Sequence, residues 1–332
     1  MSAAELTRSV WDVDADDFPG NAGIDEQARF LLRYAILAPS SHNSQPWRFR
    51  IDGNAIHVAA DESRWLAVAD PDERELFVSL GCAVENLVVA AERFGLDPMV
   101  TYPEKGGERV ATVTLGGNGD GDDASPLFDE LTARRTSHDP FDGESLDVTA
   151  RERIVAAADA DAVALSLVAG ETKRAVGELQ AKADRLQMED PAYRKELGRW
   201  IGLGVLGHSW LAARVGQAVV SHLDLGDREA AKNSTLVESA PLIGVLTTET
   251  DDPVARVETG RVFERVALRA SAEGVAVHPM SQILERPDLR GQLADELDPG
   301  GAKPQHLFRL GYADEMPEHT PRWPVAVVLD EG

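Results

Sequence analysis

Gly81-Cys82-Ala83-Val84-Glu85-Asn86-Leu87-Val88-Val89-Ala90-Ala91-Glu92-Arg93-Phe94-Gly95 has a counterpart far down the chain, in Gly260-Arg261-Val262-Phe263-Glu264-Arg265-Val266-Ala267-Leu268-Arg269-Ala270-Ser271-Ala272-Glu273-Gly274. At a constant offset, Gly81 matches Gly260, Glu85 matches Glu264, Ala91 matches Ala270 and Gly95 matches Gly274. Both stretches have helical spacing of apolar residues and a glycine placed as a C-cap. Two amphipathic helices can share such a pattern by chance. The other reading is a duplicated domain whose halves pack on each other.

Outward from the first copy, the elements alternate. Asp25 to Ala38 carries Phe30, Leu31, Tyr34 and Leu37 on one helical face. Trp47 to Ile51 and Ala55 to Ala59 read as strands around Asp52-Gly53-Asn54. Glu73 to Phe94 is a long apolar helix, followed by strands over Pro98 to Tyr102 and Arg109 to Leu115. The run Gly116-Gly117-Asn118-Gly119-Asp120-Gly121-Asp122-Asp123 reads as a surface linker, because glycine and aspartate remove both packing and helix propensity. It divides a first half, residues 1–120, from a second half, residues 126–332.

The second half repeats the theme with insertions. Helices are expected over Asp147 to Asp159, Glu171 to Met188, most of Pro191 to Val220, and Gly260 to Glu273. Strands are expected over Ala162 to Val168, Pro241 to Thr247 and His306 to Tyr312.

Composition bounds the function. The chain has 332 residues, with Lys+Arg 33 against Asp+Glu 57 and a formal net charge of −24. Nucleic acid and anionic membrane surfaces both reward clustered cations, so neither is an expected partner. Lysine occurs only at Lys105, Lys173, Lys182, Lys195, Lys232 and Lys303. Acid-rich, lysine-poor surfaces suit a cytoplasm at very high salt; the plainer reading is an acidic protein with a high-GC codon bias. Cys82 is the only cysteine, so no intrachain disulfide forms, and its apolar neighbours mark a buried structural thiol. The N-terminus has no basic region followed by an apolar run, and the most apolar stretch, Ile201 to Val220, contains His208 and Arg214. A cytoplasmic protein is expected.

Three segments carry chemistry. Ala38-Pro39-Ser40-Ser41-His42-Asn43-Ser44-Gln45-Pro46-Trp47 is a helix end followed by a polar turn. It offers neutral donors and acceptors at a rigid corner, which suits the heteroatom edge of a flat heterocycle, or else merely joins helix to strand. Arg134-Arg135-Thr136-Ser137-His138-Asp139-Pro140-Phe141 places two guanidiniums beside hydroxyls, equipment for a phosphate monoester, or else a solvated helix end paired with Asp129 and Glu130. The tail runs Leu307-Phe308-Arg309-Leu310-Gly311-Tyr312-Ala313, then Pro321-Arg322-Trp323-Pro324, and brings one further cation.

Taken in order, these segments resemble the nitroreductase superfamily. Its proteins are usually dimers with each flavin mononucleotide (FMN) at the subunit interface. One subunit supplies an Arg-x-Ser-x-Arg/Lys opening and a C-terminal basic residue for the phosphate, and the other a Pro-Ser-Ser-x-Asn-x-Gln-Pro-Trp turn. The turn matches at Pro39, Ser40, Ser41, Asn43, Gln45, Pro46 and Trp47 in the first half; the opening resembles Arg134, Arg135 and Ser137 in the second. Each half keeps what the other lacks. The chain is therefore similar to the two-lobed, Acg-like branch, in which one polypeptide mimics the dimer, with one complete FMN site and one degenerate.

The resemblance implies an α+β fold of two nitroreductase-like halves, each with an antiparallel-rich sheet, and a lid-like insertion at about 191–233. It implies FMN held by Pro39, Ser40, Ser41, Asn43, Gln45, Arg134, Arg135, Ser137, Pro279, Met280, Ser281 and Arg322. His138 or Asp139 stands where the family has a second Arg or Lys. The implied activity is hydride transfer from NAD(P)H through FMN to a nitro or quinone-type acceptor, with no protein acid or base assigned. The alternatives are an FMN store sealed by the lid, or an interaction protein without a nucleotide. A monomer suffices, because the fused halves complete one site.

Overall fold

The computed structural model describes residues 6–103, 109–117, 127–207, 210–222, 226–297 and 300–331. In the first half, helix α1 (Ile24–Ala35) buries Phe30, Leu31 and Tyr34, the face its spacing predicts. Strands β1 (Trp47–Asp52) and β2 (Ala55–Ala60) form a hairpin about Gly53 and Asn54. In β1, Trp47 and Phe49 turn inward, and Arg48 and Arg50 outward, the period of two that a half-buried strand requires. Helix α2 (Arg74–Arg93) ends at Gly95, whose φ of 69° is the left-handed C-cap conformation. Strands β3 (Pro98–Thr101) and β4 (Arg109–Leu115) complete a four-stranded antiparallel sheet of order β1-β2-β4-β3.

The second half runs through α3 (Glu130–Ala133), α4 (Val148–Ala157), β5 (Ala164–Val168), α5 (Gly170–Glu189), α6 (Pro191–Leu203), α7 (Trp210–His222), α8 (Gly226–Ser239), β6 (Leu242–Thr248), α9 (Pro253–Ala272), β7 (Ala276–Pro279), α10 (Pro287–Leu297), β8 (Lys303–Gly311) and α11 (Val325–Val328). Its sheet has order β5-β6-β8-β7, the same path as the first, and again every pairing is antiparallel. Even the irregularity repeats. A register shift falls between Val58 and Ala59 where β2 meets β4, and between Leu246 and Thr247 where β6 meets β8. The expected α+β fold of two halves, each with an antiparallel sheet, is therefore what the chain adopts.

Some boundaries differ from the sequence reading. Helix α9 starts seven residues before Gly260, because Asp252 caps it by accepting from the Ala255 amide (3.0 Å) and Pro253 takes the first turn. Helices α8 and α10 and strand β7 were not anticipated; β7 is only four residues long and acquires its identity from pairing with β8. The helical excursion runs from α5 to α8, between two strands that pair directly, and so occupies the place that Gly53 and Asn54 fill in the first half. The linker core at residues 118–126 lies outside the described residues, as do Lys105 and His208.

The halves meet along α2 and α9, and the two copies of the repeat cross at their matched glycines. A Cβ on Gly81 would lie 2.0 Å from the Val257 carbonyl oxygen and 2.9 Å from the Gly260 Cα. A Cβ on Gly260 would lie 2.0 Å from the Val78 carbonyl oxygen and 2.9 Å from the Gly81 Cα. The buried Cys82 thiol donates to the Gly260 carbonyl (3.3 Å), the structural role its neighbours predicted. The tail returns over the first half: Thr7 and Arg322 form a bridge, and the Asp330 amide donates to the Phe49 carbonyl (2.8 Å).

Candidate functional site

The polar turn after α1 is strained. His42, Asn43 and Gln45 have φ of 49°, 52° and 50°, a left-handed conformation uncommon outside glycine. Local bonds hold it: the Gln45 amide donates to Ser40 Oγ (2.9 Å) and the Ser41 amide to Ser79 Oγ (3.2 Å). Long-range bonds then tie it to the second half. Gln45 Oε1 accepts from the Trp323 amide (2.8 Å), and Asn43 Nδ2 donates to the carbonyls of Pro321 (3.0 Å) and Val205 (2.6 Å). Val205 follows α6, so the helical excursion touches this turn directly. Glu196 of α6 adds a second clasp, accepting from the amides of Val68 and Ala69. Pro39 lies half-buried between α1 and this network.

A cluster of cations closes the C-terminal end of α1. Arg322 is buried, and its guanidinium donates to the carbonyls of Leu37 (3.3 Å) and Ala38 (3.2 Å) and to Thr320 Oγ1 (2.6 Å). Arg134 donates to the same Leu37 carbonyl (3.2 Å), and its Nε lies 3.2 Å from Glu264 Oε1. The negative end of a helix dipole is a natural seat for guanidiniums. Arg135 is half-buried, and its Nη1 donates to the Ala133 carbonyl (2.9 Å). Burial, with Arg134 alongside, pulls Arg322 down to about 9, and burial pushes Glu264 up to about 7 against the pull of Arg134. Two guanidiniums, Arg134 and Arg322, thus act on one carboxylate, with Arg135 the next residue along the chain.

The remaining candidates divide. Met280 is buried, and its amide donates to the Leu307 carbonyl (2.7 Å). Ser281 hydrogen-bonds Glu75, and Glu75 lies one turn before Ser79, so Pro279, Met280 and Ser281 join the polar turn through α2. Burial pushes Glu75 upward, but His306, Arg74 and Ser281 outweigh it and hold the carboxyl at about 2. Ser41, Ser44, Asp70, Glu75 and Ser79 line a cavity of about 10 Å³, room for a single water. The Ser137 backbone is tied to the sheet, its amide donating to the Val277 carbonyl and its carbonyl accepting from Arg309 Nη2 (3.0 Å), and its Oγ is buried without a partner. His138 packs edge-on against His278 (4.4 Å between centroids), and His278 Nδ1 accepts from Arg309 Nε (2.9 Å). The His138 ring therefore makes its contact beside β7 and β8.

The sequence reading passed over Glu264, Glu75 and Arg309. Arg309 fastens the Arg134–Phe141 segment to the sheet, also donating to the Asp139 carbonyl (2.7 Å) and standing 3.9 Å over the Phe141 ring. Glu264 was visible as the match of Glu85, without any sign of its partner. The alternative reading, a solvated helix end paired with Asp129 and Glu130, gives way for Arg134 to Glu264, which α9 presents from within the interface.

The matched corner in the other half is built differently. Glu258 stands where α2 has Ser79, and Arg261 where it has Cys82. Arg261 bonds Glu85 (2.9 Å), Glu258 (3.0 Å) and the Tyr102 hydroxyl (3.3 Å); Tyr102 also donates to Glu258, and Arg265 pairs with Glu85 (3.2 Å).

No family model matches the chain. It is similar along most of its length to a provisionally named NAD(P)H nitroreductase of Mycobacterium tuberculosis, at 28% identity over 324 residues, covering 92% of this chain and 91% of that protein. A second protein of that organism, provisionally named NAD(P)H nitroreductase acg, is 24% identical over 321 residues, covering 90% of this chain and 93% of its own. Among solved structures, the FMN-dependent nitroreductase NfnB from Mycobacterium smegmatis in complex with NADPH aligns with 15% identity and a TM-score of 0.40, over 58% of this chain and 93% of that one. A nitroreductase with bound FMN from Bacteroides fragilis gives 16% and 0.37, over 59% and 94%. The resemblance to the nitroreductase superfamily, and to its two-lobed Acg-like branch, extends along nearly the whole chain.

Proposed function

We propose that the chain binds one FMN where the polar turn, the arginine cluster and the Pro279–Ser281 corner converge, and uses it to pass hydride from NAD(P)H to a nitro or quinone-type acceptor. The observation that carries this reading is the surplus of cation at the end of α1. Arg322 is buried with carbonyl and hydroxyl partners, beside Arg134 and Arg135, and Glu264 is the one acid paired there. A buried guanidinium without its own carboxylate is costly unless an anion shares the site. A phosphate dianion supplies one, and the guanidinium fork matches its oxygens. Arg322 Nε, buried without a partner, is equipped for such an oxygen.

Arg134, Arg135 and Arg322 would hold the phosphate, and Ser40, Ser41, Asn43, Gln45 and the Met280–Ser281 backbone would border the ring. Ser137, whose buried Oγ has no partner within the protein, would add a hydroxyl to the phosphate site. Bound FMN would supply the hydride chemistry; the protein's part is to hold and shield it. One polypeptide furnishes every element, so a monomer suffices, and the acid surface suits a cytoplasm of high salt. No helix among the described residues is long and apolar enough to cross a membrane.

A second reading has its own observation. Val205 and Glu196 clasp the excursion onto the turn region, and a ring lying beneath it would be shielded from a nicotinamide. In that state the protein stores FMN. An absorbance scan of purified protein tests the shared premise: no flavin spectrum, and none after incubation with FMN, overturns both. Anaerobic NADPH then separates them. Bleaching within seconds supports the reductase; a flavin that stays yellow supports the store.

A further inference from the structure

Beside the three arginines lies a ring that the sequence reading did not single out. His319 stacks on the Trp11 indole, 4.0 Å between centroids and 11° between planes. Its loop is fixed from both sides: Arg8 Nε donates to the His319 carbonyl (2.8 Å), and Trp11 Nε1 donates to the Thr320 carbonyl (2.9 Å). Arg322 also stands over Trp11, 5.0 Å from the ring centroid. The imidazole is thus built into the wall of the cluster.

The charged groups that face it are Arg135, Arg134 and Arg322. The acids nearby are engaged elsewhere. Glu318 pairs with Arg8 (3.2 Å), and Glu264 with Arg134. The Thr132 carbonyl hydrogen-bonds the ring, and Nε2 is buried without a partner. Burial and the three guanidiniums hold the imidazole down at about 4, so at neutral pH it is uncharged. A dianion among those guanidiniums reverses the balance: the like-charge repulsion is offset, and a protonated Nε2 gains an acceptor.

We infer that His319 is a fourth ligand of the nucleotide phosphate, filling the cationic place that His138 leaves, and that it takes a proton from solvent as the phosphate arrives. No covalent bond changes; an imidazole lone pair becomes an N–H donor. This rests on the reading that the FMN phosphate sits among Arg134, Arg135 and Arg322.

The test titrates the whole protein with FMN and with riboflavin, which lacks the phosphate, following flavin fluorescence. Calorimetry near neutral pH in buffers of different ionisation enthalpy counts the protons taken up. His319→Phe keeps a ring against Trp11 and is expected to weaken FMN about 10-fold or more, the loss of one charge-assisted bond, with riboflavin affinity unchanged. It should also abolish the net proton uptake seen with FMN in the parent. His319→Lys, a permanent cation, should recover FMN affinity without proton uptake, a rescue that a purely structural histidine would not show. Unchanged FMN affinity in His319→Phe overturns the inference and leaves the flavin site standing. Proton uptake that persists in that variant moves the proton to Glu264 and overturns it as well. A parent protein that binds FMN no better than riboflavin, or not at all, removes the phosphate site and the inference together.

Discussion

Two corners of this molecule occupy matched places, one at each end of the crossing between α2 and α9, and they have opposite electrostatics. In the corner of Tyr102, long charged side chains fill the space and neutralise one another: Arg261 and Arg265 answer Glu85, and Glu258 answers Arg261 and Tyr102. In the corner of Ser79, the matched positions are small; Arg74 answers Glu75, while at the end of α1 Arg134 and Arg322 share Glu264 with Arg135 alongside in sequence. The difference shows what would make a binding site on a repeated scaffold. Backbone and topology are shared; what differs is whether the charges are satisfied from within. A corner that completes its own ion pairs contributes stability, and one left with excess charge is poised for a ligand.

The sharpest way to break the comparison is to remove the axis both corners share. Gly81→Ala or Gly260→Ala drives a methyl into a carbonyl oxygen of the opposite helix, where neither backbone can yield without separating the lobes. Overpacking of a tight interior costs about 1–3 kcal/mol, and a backbone clash belongs at or above the top of that range. Calorimetric melting should show a large fall in Tm; a fall of only a degree or two would mean that the crossing adapts.

Arg134→Ala comes next. It leaves Glu264 buried without its partner, which typically costs about 3–5 kcal/mol. Flavin and stability should therefore be lost together, so the double removal of Arg134 and Arg135 is not a clean probe of binding. Pairing Arg134→Met with Glu264→Leu should recover the Tm without recovering FMN.

The contrast sharpens with one arginine from each corner. Arg261→Ala should lower stability and leave FMN affinity alone, since the Tyr102 corner completes its own ion pairs. Arg135→Ala should do the reverse, weakening FMN about 10-fold or more with little change in Tm, because its hydrogen bond within the protein is to the nearby Ala133 carbonyl. Equilibrium titration and melting on the two variants decide it; identical behaviour would erase the distinction between the corners.

A pH effect should be visible at the Ser79 corner. Burial, with Glu75 nearby, pushes Glu285 up to about 8, and burial raises Asp70 to about 7. A carboxyl raised in the fold favours folding most below its ordinary range. That contribution declines as pH rises, and is gone once pH passes the folded value. The Tm should fall between roughly pH 7 and 8, above the range in which His42, His138, His278 and His319, held low by burial, stabilise the fold as pH rises, and Glu285→Gln should flatten the decline. A Tm that rises with pH over this window would reverse the sign of the argument. The smallest effect is expected from Asn43→Ala, about 0.5–1.5 kcal/mol of FMN affinity for a neutral hydrogen bond, read by the same titration.

Local patterns carried much of the fold into view. The matched glycines marked the duplication, and in the structure they lie at the helix crossing, where only glycine lets two backbones touch. The first-half strands were legible from alternation, and the polar turn and the tail from their residue types. What stayed hidden depends on partners distant in sequence. Strand β7 exists through β8, Arg134 found Glu264 across more than a hundred residues, and His319 became notable only once Trp11 lay against it. The full extent of the helical excursion was equally invisible, because the pairing of β5 with β6 defines its ends.

That pairing has a consequence for how the chain can be edited. Helices α5 to α8 leave and rejoin the sheet at adjacent strand ends, where the other half makes do with a glycine and an asparagine. Even so, Val176, Ala183 and Val237 pack into one core and Tyr193 and Trp200 into the other. Excising them and closing the gap with a two-residue hairpin turn would therefore open both cores as well as expose the ledge around Asn43 to bulk solvent.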